Sequence, residues 1–141
     1  MAQERQPYKL YMSCSWYFDS AYNDLHTLLE QADNFSYQIE GVALQLARST
    51  VYQGRQRYEL IREQMKECDA MLLLAGVYPS FFDWISKEIV ACKNEYQLPI
   101  IAVMRDDHRI LSPVVRQAAD QIIDWNATRI ITAIQQLTAS T

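Results

Sequence analysis

Ala70 to Ala75 is an unbroken apolar run of alanine, methionine and leucine. It is too short for a typical helix and has no polar side to turn to water. It therefore suits a strand covered on both faces, as at the centre of a parallel sheet. Gly76 ends the run, and Tyr78-Pro79-Ser80 supplies a turn, with Ser80 placed to cap the helix that follows. Over Phe82 to Tyr96, the residues Phe82, Ile85, Ile89 and Cys92 recur at intervals of three and four and form an inward stripe. Trp84 and Glu88, four apart, stand one turn above the other on a neighbouring face. An indole beside a carboxylate near a strand's carboxyl end suits the cationic or ribose part of a nucleotide. The spacing alone equally allows a boundary tryptophan next to a solvated glutamate.

The rest of the chain repeats this strand-then-helix pattern. Leu98 to Met104 is a second apolar strand, with Pro99 tolerated near its first position. Residues 70–75 and 99–104 are predicted to be adjacent central strands closed to solvent. Tyr8 to Ser13 alternates as a strand does, and its exit, Ser13-Cys14-Ser15-Trp16-Tyr17, falls at the edge where open α/β folds place ligands. Asp19 or Ser20 caps a helix marked by Tyr22, Leu25, Leu28 and Leu29; His26 on it has no Cys or Asp at ligand spacing and reads as a surface residue.

Phe35 to Ile39 alternates as an edge strand. The stretch 40–50 reads as a loop rich in apolar residues, with Val42, Leu44 and Leu46 either tucked under the domain or offered to a partner. Tyr58, Ile61, Met65 and Cys68 mark the buried face of a helix from about Gly54 to Cys68. Pro113 opens a short helix to Ala119, Gln121 to Trp125 is a brief last strand, and Asn126 caps a closing helix with Ile130, Ile131, Ile134 and Leu137 inward. Five strands alternating with helices imply a parallel sheet with helices on both faces, joined by right-handed crossovers.

The 141 residues make one domain, long enough to bury a full core. A formal charge of -4, with no basic cluster longer than two residues, argues against a nucleic-acid surface. Three cysteines (Cys14, Cys68, Cys92), odd in number and without a CxxC pair, argue for a reducing compartment and against both a disulfide framework and a zinc site; no metal is expected. Residues 1–7 are polar and read as a disordered start without the apolar core of a signal peptide. No apolar run approaches the length of a membrane span, so a soluble, cytoplasmic protein is expected. With three glycines in all and neither GxGxxG nor a Walker loop, a dinucleotide-binding Rossmann fingerprint and a P-loop are excluded.

Six segments carry a family likeness: Ser13-Cys14-Ser15-Trp16 with Tyr22, Asn34 to Tyr37, Leu74 to Tyr78, Trp84 to Ile89, Pro99 to Val103, and Ala118 to Asp120 with Asp124 to Asn126. On these the chain resembles the TIR-like family that includes the NAD-processing subunit of the Thoeris anti-phage system. The most specific of them is Trp84-Ile-Ser-Lys-Glu88, similar to the W-x-x-x-E signature of TIR domains. The resemblance covers nearly the whole chain. It implies a single TIR-like domain over 1–141 with a three-layer, doubly wound, flavodoxin-like parallel sheet of strand order 2-1-3-4-5.

The resemblance also implies NAD as substrate, no permanently bound cofactor, Glu88 as the catalytic residue, and Ser13, Cys14, Ser15, Trp16, Tyr78 and Trp84 as substrate-binding residues. It implies self-association or another protein as partner. Cys14 stands where the family commonly has a histidine, and the 40–46 loop is more apolar than its counterparts. Two other readings share the architecture: a TIR-like assembly module without catalysis, and a nucleoside deoxyribosyltransferase-like enzyme. The second usually has a glycine pair ahead of its glutamate, which the Tyr78 to Asp83 turn lacks.

Overall fold

A computed structural model describes residues 6–13, 16, 21–33, 35–41, 55–75, 82–105 and 113–139, with Phe82 described by its backbone alone. The elements are β1 (Tyr8–Met12), α1 (Ala21–Glu30), β2 (Tyr37–Glu40), α2 (Arg55–Met65), β3 (Ala70–Leu74), α3 (Phe82–Val90) running on into a π-helical turn (Ala91–Glu95), β4 (Ile100–Met104), α4 (Pro113–Ala118), β5 (Gln121–Asp124) and α5 (Ala127–Ala139). The five strands form one sheet in the order β2-β1-β3-β4-β5, every neighbouring pair parallel. This is the doubly wound, flavodoxin-like topology.

Successive residues of a strand face opposite sides, and β3 divides accordingly. Met71, Leu73 and Ala75 enter one apolar layer, which α2, α3 and α4 complete through Ile61, Met65, Trp84, Ile85, Cys92 and Val115. Ala70, Leu72 and Leu74 enter the other, which α1 and α5 complete through Leu25, Leu29, Ile130 and Ile134. The expected burial is observed over 70–75 and 99–103, while Met104, at the end of β4, is only half-buried. Residues 70–75 are at most 4% exposed, and the register pairs Met71 with Ile100 and Leu74 with Val103. The edge strands are less covered, with β2 half-buried and Ile122 of β5 exposed.

Two aspartates fasten the amino ends of the strands in the same way. Asp69, just before β3, accepts from the Lys9 amide through Oδ2 at 2.8 Å, and its own amide donates to the Lys9 carbonyl at 2.7 Å. Asp120, just before β5, repeats this with Ile100 at 2.7 and 2.8 Å. Each pair closes backbone groups that the first turn of a parallel ladder leaves open.

Several boundaries differ from the sequence reading. β2 starts at Tyr37, and just ahead of it the Phe35 ring stacks between those of Tyr8 and Tyr37, at 5.4 and 5.6 Å. α2 runs from Arg55 to Met65, and Cys68 stays buried in the connection. The 82–96 helix is not α-helical throughout: the Tyr96 amide bonds the Ala91 carbonyl, five residues back, at 3.0 Å. Gln97 then takes a left-handed φ of 55°, and the Leu98 amide returns to the Cys92 carbonyl at 2.9 Å, which closes the helix end. The Asn126 cap is present, its Oδ1 accepting from the Arg129 amide at 3.0 Å. The Asp19 or Ser20 cap, the Tyr78-Pro79-Ser80 turn and the apolar 42–50 stretch lie outside the described residues.

Leu73, with no exposed surface, lies mid-strand in the layer shared with α3. Leu73→Asp places an unpaired carboxylate there at a cost of several kcal/mol against a total stability of roughly 5–15. The expected outcome is insoluble or unfolded protein by circular dichroism, and a soluble variant with a cooperative melt counts against this burial.

Candidate functional site

Tyr11 and Ser13 are two apart on the first strand and its exit, so their side chains leave the same face of the sheet, toward α3. One side chain is long and the other short, and they converge on a single group. The Tyr11 hydroxyl donates to Glu88 Oε2 and the Ser13 hydroxyl to Glu88 Oε1, each at 2.7 Å. Tyr11, Ser13 and Glu88 all have no solvent-exposed surface. A carboxylate in an apolar layer is costly unless its oxygens are satisfied, and a hydrogen bond to a charged group returns about 1.5–3 kcal/mol. The arrangement ties α3 to β1 at the carboxyl end of the sheet, the edge at which such folds hold ligands.

One turn before Glu88, Trp84 is 2% exposed. The Arg57 guanidinium of α2 lies 5.0 Å above its ring. Arg57 also pairs with Asp83, which Lys87 reaches at 2.7 Å. The Lys87 ammonium, and after it the Arg57 guanidinium, hold the Asp83 carboxyl below the usual carboxylate range. The Trp84 indole N–H has no hydrogen-bond partner among the described residues. A buried donor left so costs about 1–3 kcal/mol.

Trp16 sits on the other face of the sheet. Its amide donates to the Ser13 carbonyl at 3.1 Å, and its indole N–H donates to the Leu72 carbonyl at 2.9 Å. Its ring packs in the layer of α1 and α5, tilted against Trp125 at 6.3 Å, and Arg105 covers Trp125 while pairing with Asp24 at 2.8 Å. The structure therefore joins Ser13, Trp84 and Glu88 in one cluster and puts Trp16 across the sheet from them. Cys14, Ser15 and Tyr78 lie outside the described residues. Tyr11 was missed by the sequence reading, which took it only as a strand residue. The available signal was its i, i+2 relation to Ser13, which places both on one face. His26 is exposed, between Glu30 at 2.9 Å and the Tyr37 hydroxyl at 2.8 Å. No cluster of three or more His, Cys, Asp or Glu suited to a metal occurs among the described residues.

Fold and site together define a flavodoxin-like α/β domain in which a Trp-x-x-x-Glu helix places its glutamate against the first strand. Two solved structures share the fold. The receiver protein of a response regulator from Sinorhizobium medicae WSM419 is 13% identical with a TM-score of 0.55, covering 96% of this chain and 97% of that one. The signal receiver domain of a Luxo repressor-type protein from Vibrio parahaemolyticus is 15% identical with a TM-score of 0.52, covering 96% and 92%. Among curated proteins none matches. The family model for the Thoeris protein ThsB, TIR-like domain, matches residues 14–110, and the chain belongs to that family.

The two described cysteines are chemically quiet. Both are buried and free, and burial pushes each thiol from an ordinary value of 9.0 up to about 12. At pH 8, iodoacetamide followed by peptide mass spectrometry is expected to leave Cys68 and Cys92 unmodified in folded protein and to label both in denaturant. Because the folded value is the higher one, the unfolded chain loses these protons first as pH rises. The stability they contribute is complete below pH 9 and is lost between about 9 and 12.

Proposed function

We propose that this protein cleaves the bond between nicotinamide and ribose in NAD, releasing an ADP-ribose-type signal in anti-phage defence, and that it does so in the cytoplasm as a self-associating protein. The observation that carries the proposal is the Glu88 carboxylate, in the family's Trp-x-x-x-Glu motif, held by both oxygens at the carboxyl end of the first strand. Membership in the Thoeris ThsB family supports the defence context.

Breaking the nicotinamide–ribose bond needs little from the leaving group, since the pyridinium nitrogen takes the bonding electron pair and departs as neutral nicotinamide. The difficulty lies in the ribosyl cation left behind, which has oxocarbenium character until its anomeric carbon bonds to water, with loss of a proton, or to a nucleophilic atom of the same ADP-ribose. A fixed anion close to it lowers the barrier more than a strong nucleophile would. Glu88 supplies that anion, Trp84 walls the site one turn away, and Ser13 orients the carboxylate. Cys14, Ser15 and Tyr78 complete the substrate contacts in this reading, with Trp16 shaping the loop from the opposite side of the sheet. Glu88 has no exposed surface, so in this reading NAD reaches it only as the residues covering it move.

The same burial supports a second reading. A carboxylate tied to β1 by two hydroxyls also serves as a purely structural brace, and an assembly module would need nothing more from it. Incubation of concentrated protein with NAD, with products detected by mass spectrometry, separates the two. Wild type is expected to release nicotinamide, and Glu88→Gln to lose at least ~100-fold in turnover while substrate binding persists. Helix propensity alone makes this substitution nearly neutral, but the buried hydroxyl contacts add a stability cost of about 1–3 kcal/mol, readable by urea unfolding. Equal cleavage by both proteins removes Glu88 from the reaction. An inert wild type that still assembles leaves the brace.

A further inference from the structure

We infer that Tyr11 is a positioning residue for Glu88, its phenol fixing one carboxylate oxygen from β1 while Ser13 fixes the other. The inference rests on the proposed role of Glu88 in NAD cleavage and adds to it the group that aims the carboxylate.

Glu88 extends from a helix through three rotatable bonds and by itself has no reason to hold one orientation. β1 is hydrogen-bonded on both sides, to β2 and to β3, which holds its backbone in place. A donor carried by β1 therefore transfers the rigidity of the sheet to the carboxylate. Two donors, one on each oxygen at 2.7 Å, fix the rotation of its plane as well as its place. Both donors are neutral, so they orient the carboxylate without cancelling its charge, which suits a group that must face a developing cation. The strand rises about 3.3 Å per residue, so Tyr11 starts nearly two rises behind Ser13 and needs a long side chain to meet the same group. A phenylalanine would fill the same apolar space between β1 and α3 but would bring no donor. The hydroxyl, with no exposed surface, is the part that packing alone does not account for.

The test compares Tyr11→Phe with wild type and with Tyr58→Phe, a control that removes another tyrosine–glutamate bond, to Glu95 at 2.6 Å on the exposed side of the domain. For Tyr11→Phe we expect kcat for NAD cleavage to fall about 10- to 100-fold with KM within about two-fold of wild type. Tyr58→Phe is expected to change neither. The difference infrared spectrum of wild type against Glu88→Gln isolates the Glu88 carboxylate stretch, which Tyr11→Phe is expected to shift. Should Tyr11→Phe fail to fold, a ring-fluorinated tyrosine at position 11 keeps the shape while strengthening the donor, and is expected to move the band the opposite way. An unmoved band, or an unchanged kcat in an active enzyme, overturns the proposal. An inert wild type overturns the NAD reading instead, and the infrared band then decides separately whether Tyr11 holds the carboxylate.

Discussion

β3 is hydrogen-bonded to β1 on one side and β4 on the other, and its residues alternate between two apolar layers with almost no surface left to water. Each helix described packs on one of those layers. A strand in this position has no solvent-facing side, so it tolerates only apolar residues, and Ala70 to Leu74 contains no others. Parallel neighbours require crossovers longer than a hairpin, which puts helices on both faces. The carboxyl ends of all five strands then share one edge, and the exit of β1 comes to lie beside Glu88 of α3.

Against that apolar background, Glu88 stands out. It and Ser13 are the only buried polar or charged residues among those described, and they are bonded to each other. A carboxylate with no exposed surface would cost several kcal/mol if left alone, and Tyr11 and Ser13 offset that cost by donating to both oxygens. Next to it, Trp84 buries an indole N–H without a partner among the described residues. An apolar side chain of similar size at either position would pack with less penalty. Buried polar groups kept at a cost mark a candidate site, here at the edge of the sheet where open α/β folds hold ligands.

The same fold appears in two receiver domains at 13% and 15% identity, so topology says little about chemistry here. The chemistry of this chain is local: one helix whose inward face carries an indole and a carboxylate, the carboxylate met by two hydroxyls of the first strand and its exit. The π-helical turn that follows, Ala91–Glu95, lies apart from that cluster. It allows Cys92 to stay buried in the layer of α3 while Glu95 reaches the Tyr58 hydroxyl and Arg62 of α2.

The two central strands, the Asn126 cap and the inward stripes of α1 and α5 were legible in the sequence, because each rests on a periodicity or a local bond that neighbouring residues fix by themselves, whereas the strand order followed only from the family resemblance. The family motif was legible too, since Trp84 and Glu88 are four apart on one helix. The sequence left the depth of that pair open between a solvated face and a buried one, because spacing gives direction around a helix but not what lies opposite. Only the tertiary structure decided that β1 lies opposite, with a phenol and a hydroxyl at the height of the carboxylate, since the partners are 77 and 75 residues away along the chain. It also put Trp16 across the sheet from Trp84, a separation invisible in a list of aromatic residues. A strand's local pattern fixes which residues share a face, but which face meets which helix is settled by the crossovers.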